Sequence, residues 1–388
     1  MKLLIAAVDA IIDKTTNKYF PGIKEALDKF ESLAKGNTVY IISISRERLN
    51  LVPKDFKKLI VLDYSIRRSG KLIGIISQRD GTAFQDIIVL GSKDDDLMLS
   101  ANAKVLLLTA DYAKGNNPAA RLYTQGYGIG ILTTEKLKLF FERFLNVDEP
   151  WYYSIDVDGD TKLFGLTNAM TGKMSDVELI QICDKFRVYL KSGKANYRNQ
   201  FLIYSLICTY RIFNEMEDID YWGYYPSSQV GVNDELFDLK EILRKSFNSR
   251  NDRDIFIRHK NSPKRQYMSA ADRKSDGCNS QFNSIHLNPW FKGRLKGKNI
   301  CIIDDFTNFG TSCETVRHLL KAAGVNKIVF IALGKFRDEY IKYDYRLKGD
   351  LFTPKGFDYS QDGMTSLKGK INNESSNELY ESLNHIVE

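Results

Sequence analysis

The segment Asn299–Ser312 constrains the fold of this chain more than any other stretch of its sequence. It begins with an apolar run, Ile300 to Ile303, which is typical of a buried parallel strand and leads into two adjacent acids, Asp304 and Asp305. A short polar loop follows, and residues 313–323 then have the periodicity of an amphipathic helix. This order of strand, loop and helix predicts one unit of an α/β domain built on a parallel sheet.

The loop between the acidic pair and the helix has the chemistry of a phosphate site. Backbone N–H groups at a helix N-terminus, together with the helix dipole, favour a phosphate monoester. The carboxylates of Asp304 and Asp305 suit ribose hydroxyls and the water shell of Mg²⁺. An ordinary surface turn is the alternative, and two adjacent acids before such a loop argue against it. The predicted phosphate-binding residues are Thr307, Asn308, Phe309, Gly310, Thr311 and Ser312.

The preceding sequence predicts two more strands beside this unit. Ile219 to Tyr225 forms an apolar run that stops at Pro226, Ser227 and Ser228, and a helix is predicted after it over residues 233–247. Asp254 to Ile257 is the next predicted strand, with Arg258 at its end.

A long polar stretch, residues 261–279, follows Arg258 and has no hydrophobic periodicity. Such a stretch in a compact domain is usually functional or disordered. Its cationic residues are Lys264, Arg265, Arg273 and Lys274. Residues 281–287 and 328–333 are then predicted as strands on either side of the phosphate unit.

With these motifs in this order, the chain resembles the type I phosphoribosyltransferases over about residues 217–340, and the competence-associated members most closely. The resemblance implies that 5-phosphoribosyl-1-pyrophosphate (PRPP) or a nucleotide binds with Mg²⁺, and that a phosphoribosyl group is transferred or cleaved. Asp304 and Asp305 would then hold the ribose and, through water, the metal ion. In one departure, Asn308 and Phe309 replace a pair of hydroxyl residues and remove two donors.

The same resemblance assigns roles to residues outside the phosphate loop. The segment Pro226-Ser227-Ser228 would present backbone amides to the pyrophosphate. Arg258 would neutralise this leaving group together with Arg273 or Lys274, which lie on a loop that closes over the site in the family. Tyr224, Tyr225 and Phe309 are the candidates for stacking an acceptor base, although aromatic residues are more often part of the core.

The N-terminal part of the chain contains a second set of α/β motifs. Strands are predicted over residues 3–8, 39–45 and 87–90, ending near Asp9, near Ser43 and Ser45, and before the acids Asp95 and Asp96. Residues 1–146 therefore resemble the haloacid dehalogenase (HAD) superfamily, in which these positions hold a nucleophile, a hydroxyl and Mg²⁺ ligands. Ile11 stands where the family has its general acid, and losing such a group costs roughly 10²–10⁴-fold in rate. We therefore expect a HAD-like domain without phosphatase activity.

The middle of the chain, residues 147–216, is predicted as a hairpin and a helical connector that joins two doubly wound parallel-sheet domains. Asp158-Gly159 is a strong hairpin signal, and it favours a turn over a metal site in the acidic run from Asp156 to Asp160. Ser175 and Glu178 form a predicted capping box, and the helices break near Gly193. Residues 341–388 are predicted as a tail that is poorly ordered or docks a partner, with a short helix over residues 377–387.

Composition limits the possible partners and compartments. No stretch approaches the roughly 18 apolar residues that a membrane span needs, and we expect no signal peptide because Asp9 interrupts the first apolar run. The five cysteines are scattered, without a CxxC pair, as in a reduced cytoplasmic protein. The net charge of +7 permits an anionic ligand or contact with nucleic acid.

Three functional hypotheses remain open from the sequence. The first is a PRPP- or nucleotide-handling transferase, whose fusion to a HAD-like domain is similar to effectors of bacterial stress and phage-defence systems. The second is a non-catalytic module that senses a nucleotide. The third is a toxin-like effector held by a protein or nucleic-acid partner.

Overall fold

Two six-stranded sheets organise the part of the chain that the computed structural model describes, which is residues 1–170, 177–192, 198–231, 234–263, 265–374 and Leu383. The fold is mixed α/β, as the sequence predicted. Predictions for Ser175, Gly193, Lys264 and the C-terminal helix of residues 377–387 lie outside the described residues, so the capping box with Glu178 is also outside them.

The first sheet is parallel throughout, with the strand order β3-β2-β1-β4-β5-β6. Its strands are almost entirely apolar because helices cover both faces. The strands are β1 Leu3–Ala7, β2 Thr38–Ser43, β3 Lys58–Val61, β4 Ile87–Gly91, β5 Leu106–Ala110 and β6 Ile129–Ile131. The helices are α1 Ile23–Ser32, α2 Arg46–Leu49, α3 Tyr64–Ser69, α4 Lys71–Asp80, α5 Asp94–Ala103, α6 Arg121–Thr124 and α7 Thr134–Phe144.

The second sheet is mixed. Its strand order is β16-β7-β8-β13-β12-β9, in which β8, β13, β12 and β9 run parallel and the other two run antiparallel to their neighbours. The strands are β7 Tyr153–Asp156, β8 Thr161–Asn168, β9 Tyr221–Tyr224, β12 Asn299–Thr307, β13 Lys327–Lys335 and β16 Lys370–Ile371. Two separate antiparallel pairs are β10 Phe256–Arg258 with β11 Ile285–Leu287, and β14 Glu339–Gly349 with β15 Phe357–Lys368. The helices are α8 Val177–Ser192, α9 Arg198–Arg211, α10 Phe213–Met216, α11 Asp234–Ser246, α12 Ala270–Asp276, α13 Asn279–Phe282 and α14 Thr311–Ala322.

The hairpin at Asp158-Gly159 is confirmed, with Gly159 in the left-handed region at φ +81°. Its assignment to a connector is wrong, because β8 pairs along its whole length with β13 and so lies inside the second sheet. The added strand β7 also explains why this sheet is mixed and not purely parallel. Helices α8 and α9 pack in an apolar cluster that both sheets share, which includes Leu4, Tyr204, Trp222 and Ile303.

The tail assignment for residues 341–388 is also wrong over most of its described length. A long hairpin, β14 with β15, spans residues 339–368, and β16 pairs with β7. Tyr340, Tyr343 and Tyr345 of β14 are all buried in the apolar cluster that also contains residues of helix α14. This burial holds the hairpin in place despite its polar outer face.

Candidate functional site

A cavity of about 620 Å³ opens at the carboxyl ends of β9, β12 and β13. Ligands of parallel α/β sheets bind at this edge because the strand-to-helix loops converge there. The lining brings together most of the residues predicted for PRPP binding, namely Pro226, Ser227, Ser228, Arg258, Arg273, Asp304, Asp305, Thr307, Asn308, Phe309, Thr311 and Ser312. Residues distant in sequence thus meet in one concave site.

The acidic pair forms the floor of this cavity. Strand β12 continues through Thr307, so Asp304 and Asp305 lie near the C-terminal end of the strand and not beyond it. Asp304 is buried, and its Oδ1 accepts a hydrogen bond from the Asp305 backbone N–H at 2.9 Å. Burial, with the neighbouring charge of Asp305, raises the pKa of Asp304 well above its usual range. A hydroxyl donor or a cation at the other oxygen, Oδ2, would favour the ionised form of Asp304.

The phosphate loop enters helix α14 through Gly310. This glycine has φ +83°, and a Cβ atom there would lie 2.2 Å from the ring of Tyr340. The close approach needs glycine for two reasons, the left-handed backbone and the lack of space. The Tyr340 hydroxyl donates to the buried carboxylate of Glu314 at 2.6 Å, which fixes the ring against the loop. Hairpin β14–β15 thereby supports the predicted phosphate site.

A buried lysine supports the same loop from below. The Lys335 Nζ donates to the backbone carbonyls of Asn308 at 2.6 Å, Phe336 at 3.0 Å and Glu339 at 2.8 Å. Burial lowers the pKa of Lys335 to about 7, and the carbonyl oxygens around it favour the ammonium form. Lys335 therefore ties the phosphate loop to the loop that leads from β13 into β14.

Phe309 takes the second of the two places that the sequence left open for it, which is the core. Its side chain is buried in the core beside Tyr340, and its carbonyl accepts from the Ile341 N–H at 2.9 Å. Phe309 still contributes atoms to the cavity wall, but a buried ring cannot present a free face to a base. Tyr224 is also buried and lines a different depression, whereas Tyr225 lines the main cavity with its hydroxyl donating to Gln281 at 2.7 Å.

Arg258 lies at the end of β10, against the segment Pro226-Ser227-Ser228. Its guanidinium donates to Ser284 Oγ at 2.6 Å, to Gln281 Oε1 at 3.0 Å and to the Pro226 carbonyl at 3.3 Å. Burial lowers the pKa of Arg258, which nevertheless stays charged at neutral pH because an arginine starts so high. A fixed cation thus stands directly behind the predicted pyrophosphate segment.

The polar stretch 261–279 is not structureless, which corrects the sequence prediction. It contains helix α12, and Arg265, which precedes that helix, donates to Thr311 Oγ1 at 3.3 Å and to the Arg273 carbonyl at 2.8 Å. Arg265 and Arg273 both line the cavity. Lys274 is absent from the lining that the structure describes, since its ammonium pairs with Glu339 at 2.7 Å. Lys274 thus contacts hairpin β14–β15 in this structure, and its role on the leaving group stays a prediction.

A third wall of the cavity was missed by the sequence. Phe306 and Phe336 have ring centroids 6.2 Å apart with a tilt of 53°, and the guanidinium of Arg187 lies 5.9 Å from the Phe306 ring. Phe306 directly follows the acidic pair and Phe336 directly follows β13, so the sequence could have predicted both residues at this edge of the sheet. Arg187 lies on helix α8, and nothing local in the sequence indicated that α8 faces the site.

The N-terminal acids have a different environment. Asp9 is buried at the end of β1, and its carboxylate lies 3.3 Å from Arg48, 3.3 Å from Lys93 and 3.4 Å from Lys14. Burial raises the pKa of Asp9, but these cations outweigh it and hold the pKa below the usual value. Ser43 and Ser45 hydrogen-bond within their own turn, where the Ser43 hydroxyl accepts from the Ser45 N–H.

The other two acids of the predicted N-terminal metal site are also paired. Asp96 forms a buried ion pair with Arg67 and accepts from the Ser92 N–H at 2.8 Å. Asp95 pairs with Arg68 at 2.5 Å. Within the described residues, no group of three or more His, Cys, Asp or Glu side chains is arranged to hold a metal ion. The contacts of Asp95 and Asp96 thus differ from those that the HAD resemblance implies.

Three buried polar atoms of the main cavity lack a partner among the residues that the structure describes. They are Asp304 Oδ2, Arg258 Nε and Asn308 Oδ1. A buried polar group without a hydrogen bond costs roughly 1–3 kcal/mol, so its presence calls for an explanation. The three atoms are a carboxyl oxygen, a guanidinium N–H donor and an amide oxygen, which together can pair with a polar ligand that carries hydroxyl groups and negative charge.

Within its described parts, the chain has no helix long and apolar enough to cross a membrane. In comparisons with known proteins, the chain matches no protein-family model and no curated protein. The functional inference for this chain therefore depends on the chemistry of the cavity.

Proposed function

We propose that the chain binds PRPP or a related nucleotide in this cavity and transfers or cleaves its phosphoribosyl group, as a type I phosphoribosyltransferase-like protein. The supporting observation is the convergence of the acidic pair, the loop Thr307–Ser312 and four arginines on one cavity that holds unpaired buried polar atoms. A ligand with a 5-phosphate, two ribose hydroxyls and a pyrophosphate has the groups that these residues need.

Each part of the site has a task in this proposal. The loop amides and the N-terminus of α14 hold the 5-phosphate, next to Arg265 at Thr311. Asp304 and Asp305 accept from the ribose hydroxyls and favour the positive charge that develops on the sugar as the bond from C1 to pyrophosphate breaks. The electron pair leaves with the pyrophosphate, near Arg258 and the segment Pro226-Ser227-Ser228. Positioning and electrostatics supply most of the catalysis.

Mg²⁺ fits the acidic pair. Asp304 Oδ2 is a buried oxygen without a partner in the described residues, and Asp305 stands next to it at the cavity floor. Mg²⁺ binds through one or two carboxylates, water and substrate phosphates, so two acids suffice. When bound, the ion would neutralise charge on the phosphates of the ligand.

A nucleotide-sensing role is the second candidate. It is favoured by the loop itself, where Phe309 is buried in the core and Asn308 replaces a hydroxyl residue, so two donors to the phosphate are lost. A loop of this kind retains backbone amides for binding. It has fewer side chains whose interactions with the ligand could become stronger in the transition state. Binding without turnover would identify this role.

For the N-terminal sheet we propose a HAD-like domain that has lost hydrolysis. Ile11 occupies the place of the general acid and is buried in the core, where it cannot deliver a proton. The three cations around Asp9 also occupy the space in which a catalytic Mg²⁺ would bind its carboxylate. Phosphate-ester hydrolysis that disappears in Asp9→Asn would contradict this proposal.

Calorimetric titration of the full chain with PRPP, with and without Mg²⁺, tests the main proposal. We expect binding that strengthens with Mg²⁺, followed by pyrophosphate release when a suitable base is added. Binding without release under a panel of bases would favour the sensor. No affinity for PRPP or for a nucleoside monophosphate, in protein shown to be folded, would overturn both roles.

A further inference from the structure

A cationic surface outside the main cavity is built from two loops, residues 249–254 and 288–298. The loops are joined at Asn288, whose side-chain amide donates to the Asp254 carbonyl at 2.8 Å and whose backbone N–H donates to the Ile255 carbonyl at 2.8 Å. Neither loop contributes a residue to the lining of the main cavity. The surface is therefore separate from the proposed phosphoribosyl site.

Trp290 brings two arginines of these loops together. The guanidinium of Arg253 lies 5.0 Å from the centre of the Trp290 ring, and that of Arg294 lies 4.6 Å from it. Arg294 uses its Nε on the Trp290 carbonyl at 2.9 Å. Both arginines are exposed, and neither forms an ion pair with the residues that the structure describes. Guanidinium groups held against an aromatic ring keep other N–H donors for phosphate oxygens.

Arg250 and Lys296 extend this pair as two further exposed cations, and they too form no ion pair within the described ranges. Of the two acids in these loops, Asp252 is exposed, whereas Asp254 is paired with Lys240 at 3.5 Å. Four unpaired cations against one unpaired acid make the surface positive, so it attracts anions. We define the arginine–tryptophan surface by Arg250, Arg253, Trp290, Arg294 and Lys296.

A depression of about 480 Å³ adjoins the arginine–tryptophan surface, and Arg253 belongs to both. Its walls include Tyr224 and Phe237, whose rings stand edge to face with centroids 6.3 Å apart. The Phe237 ring is only partly buried, with the Lys240 ammonium 4.4 Å from its centre. The Asp254 carboxylate accepts from the Tyr224 hydroxyl at 3.2 Å and has further lone pairs for an amino group. Aromatic rings beside a hydrogen-bond acceptor suit a nucleobase.

We propose that the arginine–tryptophan surface and this depression form a binding site for single-stranded nucleic acid. The phosphates of the strand lie against the arginines, and one base enters the depression. A single strand fits better than a duplex because its bases are unstacked and can leave the strand axis. This site goes beyond the phosphoribosyl proposal and does not depend on it.

Fluorescence anisotropy with labelled short single strands of RNA and of DNA, and with the matching duplexes, tests this site on the full chain. We expect both single strands to bind more tightly than the duplexes. The double variant Arg253→Ala with Arg294→Ala should weaken them roughly 10- to 100-fold, the size expected for charge-assisted contacts to phosphate. It should also make the dependence of log affinity on log salt shallower by about 1.4, since each phosphate contact of a single strand contributes about 0.7.

A matched control removes the same charge elsewhere. Arg121→Ala with Arg346→Ala also deletes two exposed arginines, which are paired with Asp94 and Asp362. This control should change the affinity by less than about twofold, because exposed ion pairs contribute little. Thermal unfolding of both double variants verifies that they are folded. Equal losses in the two double variants would show that binding follows net charge, and the proposed site would be wrong.

Two further variants test the aromatic part of the site. Trp151 and Trp222 are buried and Trp290 is partly exposed, so a bound strand should quench mainly Trp290 emission, and Trp290→Phe should remove the change. Phe237→Leu should weaken single strands roughly fivefold, the lower end for one base stacked on an aromatic ring, and should leave inorganic polyphosphate unaffected.

The proposal fails if single strands do not bind at low salt or if the duplexes bind more tightly. It also fails if polyphosphate or polyglutamate binds as tightly as the strands, because the surface would then recognise charge alone. Binding of PRPP should be the same in Arg253→Ala with Arg294→Ala as in the wild type, so the outcome for this surface and the outcome for the main cavity are measured separately.

Discussion

Each of the two sheets has a buried aspartate at the carboxyl end of a parallel strand, and the surroundings of the two aspartates differ. At the first sheet, Asp9 is surrounded by three cations at 3.3 to 3.4 Å. At the second sheet, Asp304 is equally buried, with one oxygen that lacks a partner in the described residues. The pKa of Asp9 is accordingly lowered by its cationic neighbours, whereas the pKa of Asp304 is raised by burial and by Asp305.

This difference between Asp9 and Asp304 supports placing the proposed ligand at the second sheet. A charge that is already paired gains little from a ligand, and removing one partner of a buried ion pair destabilises the fold. A buried polar atom without a partner destabilises the fold and is compensated when a ligand arrives. On our proposal the ligand binds at the carboxyl edge of the second sheet, and Asp9 at the corresponding edge of the first sheet has a structural role.

The largest effect should come from replacing the acids one at a time. Asp304→Asn should lower PRPP turnover, or PRPP affinity if the chain is a sensor, by roughly 10²–10³-fold, as for loss of one preorganised electrostatic group. Asp9→Asn should change either quantity by less than about twofold, because Asp9 is paired with cations of the first sheet's edge and lies outside the proposed site. Calorimetry with PRPP and a pyrophosphate-release assay would measure both variants. Equal losses would remove the distinction between the two edges.

A second test changes the phosphate loop without touching a charge. Gly310→Ala should weaken PRPP and nucleoside monophosphates alike by roughly 100-fold, since the new Cβ would meet the Tyr340 ring at 2.2 Å and the backbone is left-handed at φ +83°. The double variant Gly310→Ala with Tyr340→Leu should regain part of the affinity, because only the backbone strain remains.

The unfolding transition monitors whether Gly310→Ala still folds. Recovery of binding in the double variant at similar stability would show that the ring position matters. Wild-type affinity in Gly310→Ala would mean that the phosphate does not bind at this loop.

The free energy of unfolding should respond more to Asp9→Asn than to Asp304→Asn, which is the reverse of the order expected for PRPP binding. Asp9→Asn should lower the free energy of unfolding by roughly 2 kcal/mol, because three cations lose their shared partner. Asp304→Asn should leave this free energy unchanged or raise it at neutral pH, since it removes a charge that burial disfavours. Urea unfolding of the two variants and the wild type would measure the contrast.

The pH dependence of these differences follows from the pKa shifts. The pKa of Asp9 is lowered in the folded protein, so its stabilising contribution is present above its ordinary pKa and is lost as the pH falls through the lower folded value. The pKa of Asp304 is raised, so its destabilising effect grows as the pH rises from its ordinary pKa to the folded value. The advantage of Asp304→Asn should therefore disappear on acidification. An advantage that persists at acid pH would contradict the raised pKa.

The local unit around the acidic pair was predictable because its signals are short in sequence. A buried strand, two acids, a glycine and a helix start follow one another within Asn299–Ser312, and the structure has them in that order. The turn at Asp158-Gly159 was predictable for the same reason. In both cases the chemistry of a few neighbouring residues fixes the backbone.

The remaining features depend on partners that lie far away in the sequence. The local sequence pattern assigned Asp96 to metal binding, whereas in the structure Asp96 is paired with Arg67. Hairpin β14–β15 resembles a polar tail until Tyr340 and Tyr343 are seen against α14. Arg187 carries no local signal either, because only the packing of α8 brings it to the cavity. Tertiary contacts decide each of these outcomes.

The smallest effect should separate two neighbouring cations that the sequence treated as one pair. Arg273 lines the cavity, whereas Lys274 binds Glu339 at 2.7 Å. Arg273→Ala should weaken PRPP roughly 10-fold, the cost of one charge-assisted contact to a phosphate, and should change nucleoside monophosphate affinity by less than about twofold. Lys274→Ala is the matched control on the next residue, and it should affect both ligands weakly and equally. Calorimetry with both ligands measures the ratio for each variant. If the ratio of PRPP affinity to nucleoside monophosphate affinity shifts in Lys274→Ala but not in Arg273→Ala, the pyrophosphate lies against hairpin β14–β15. If Arg273→Ala weakens both ligands equally, helix α12 is a scaffold and not part of the leaving-group site.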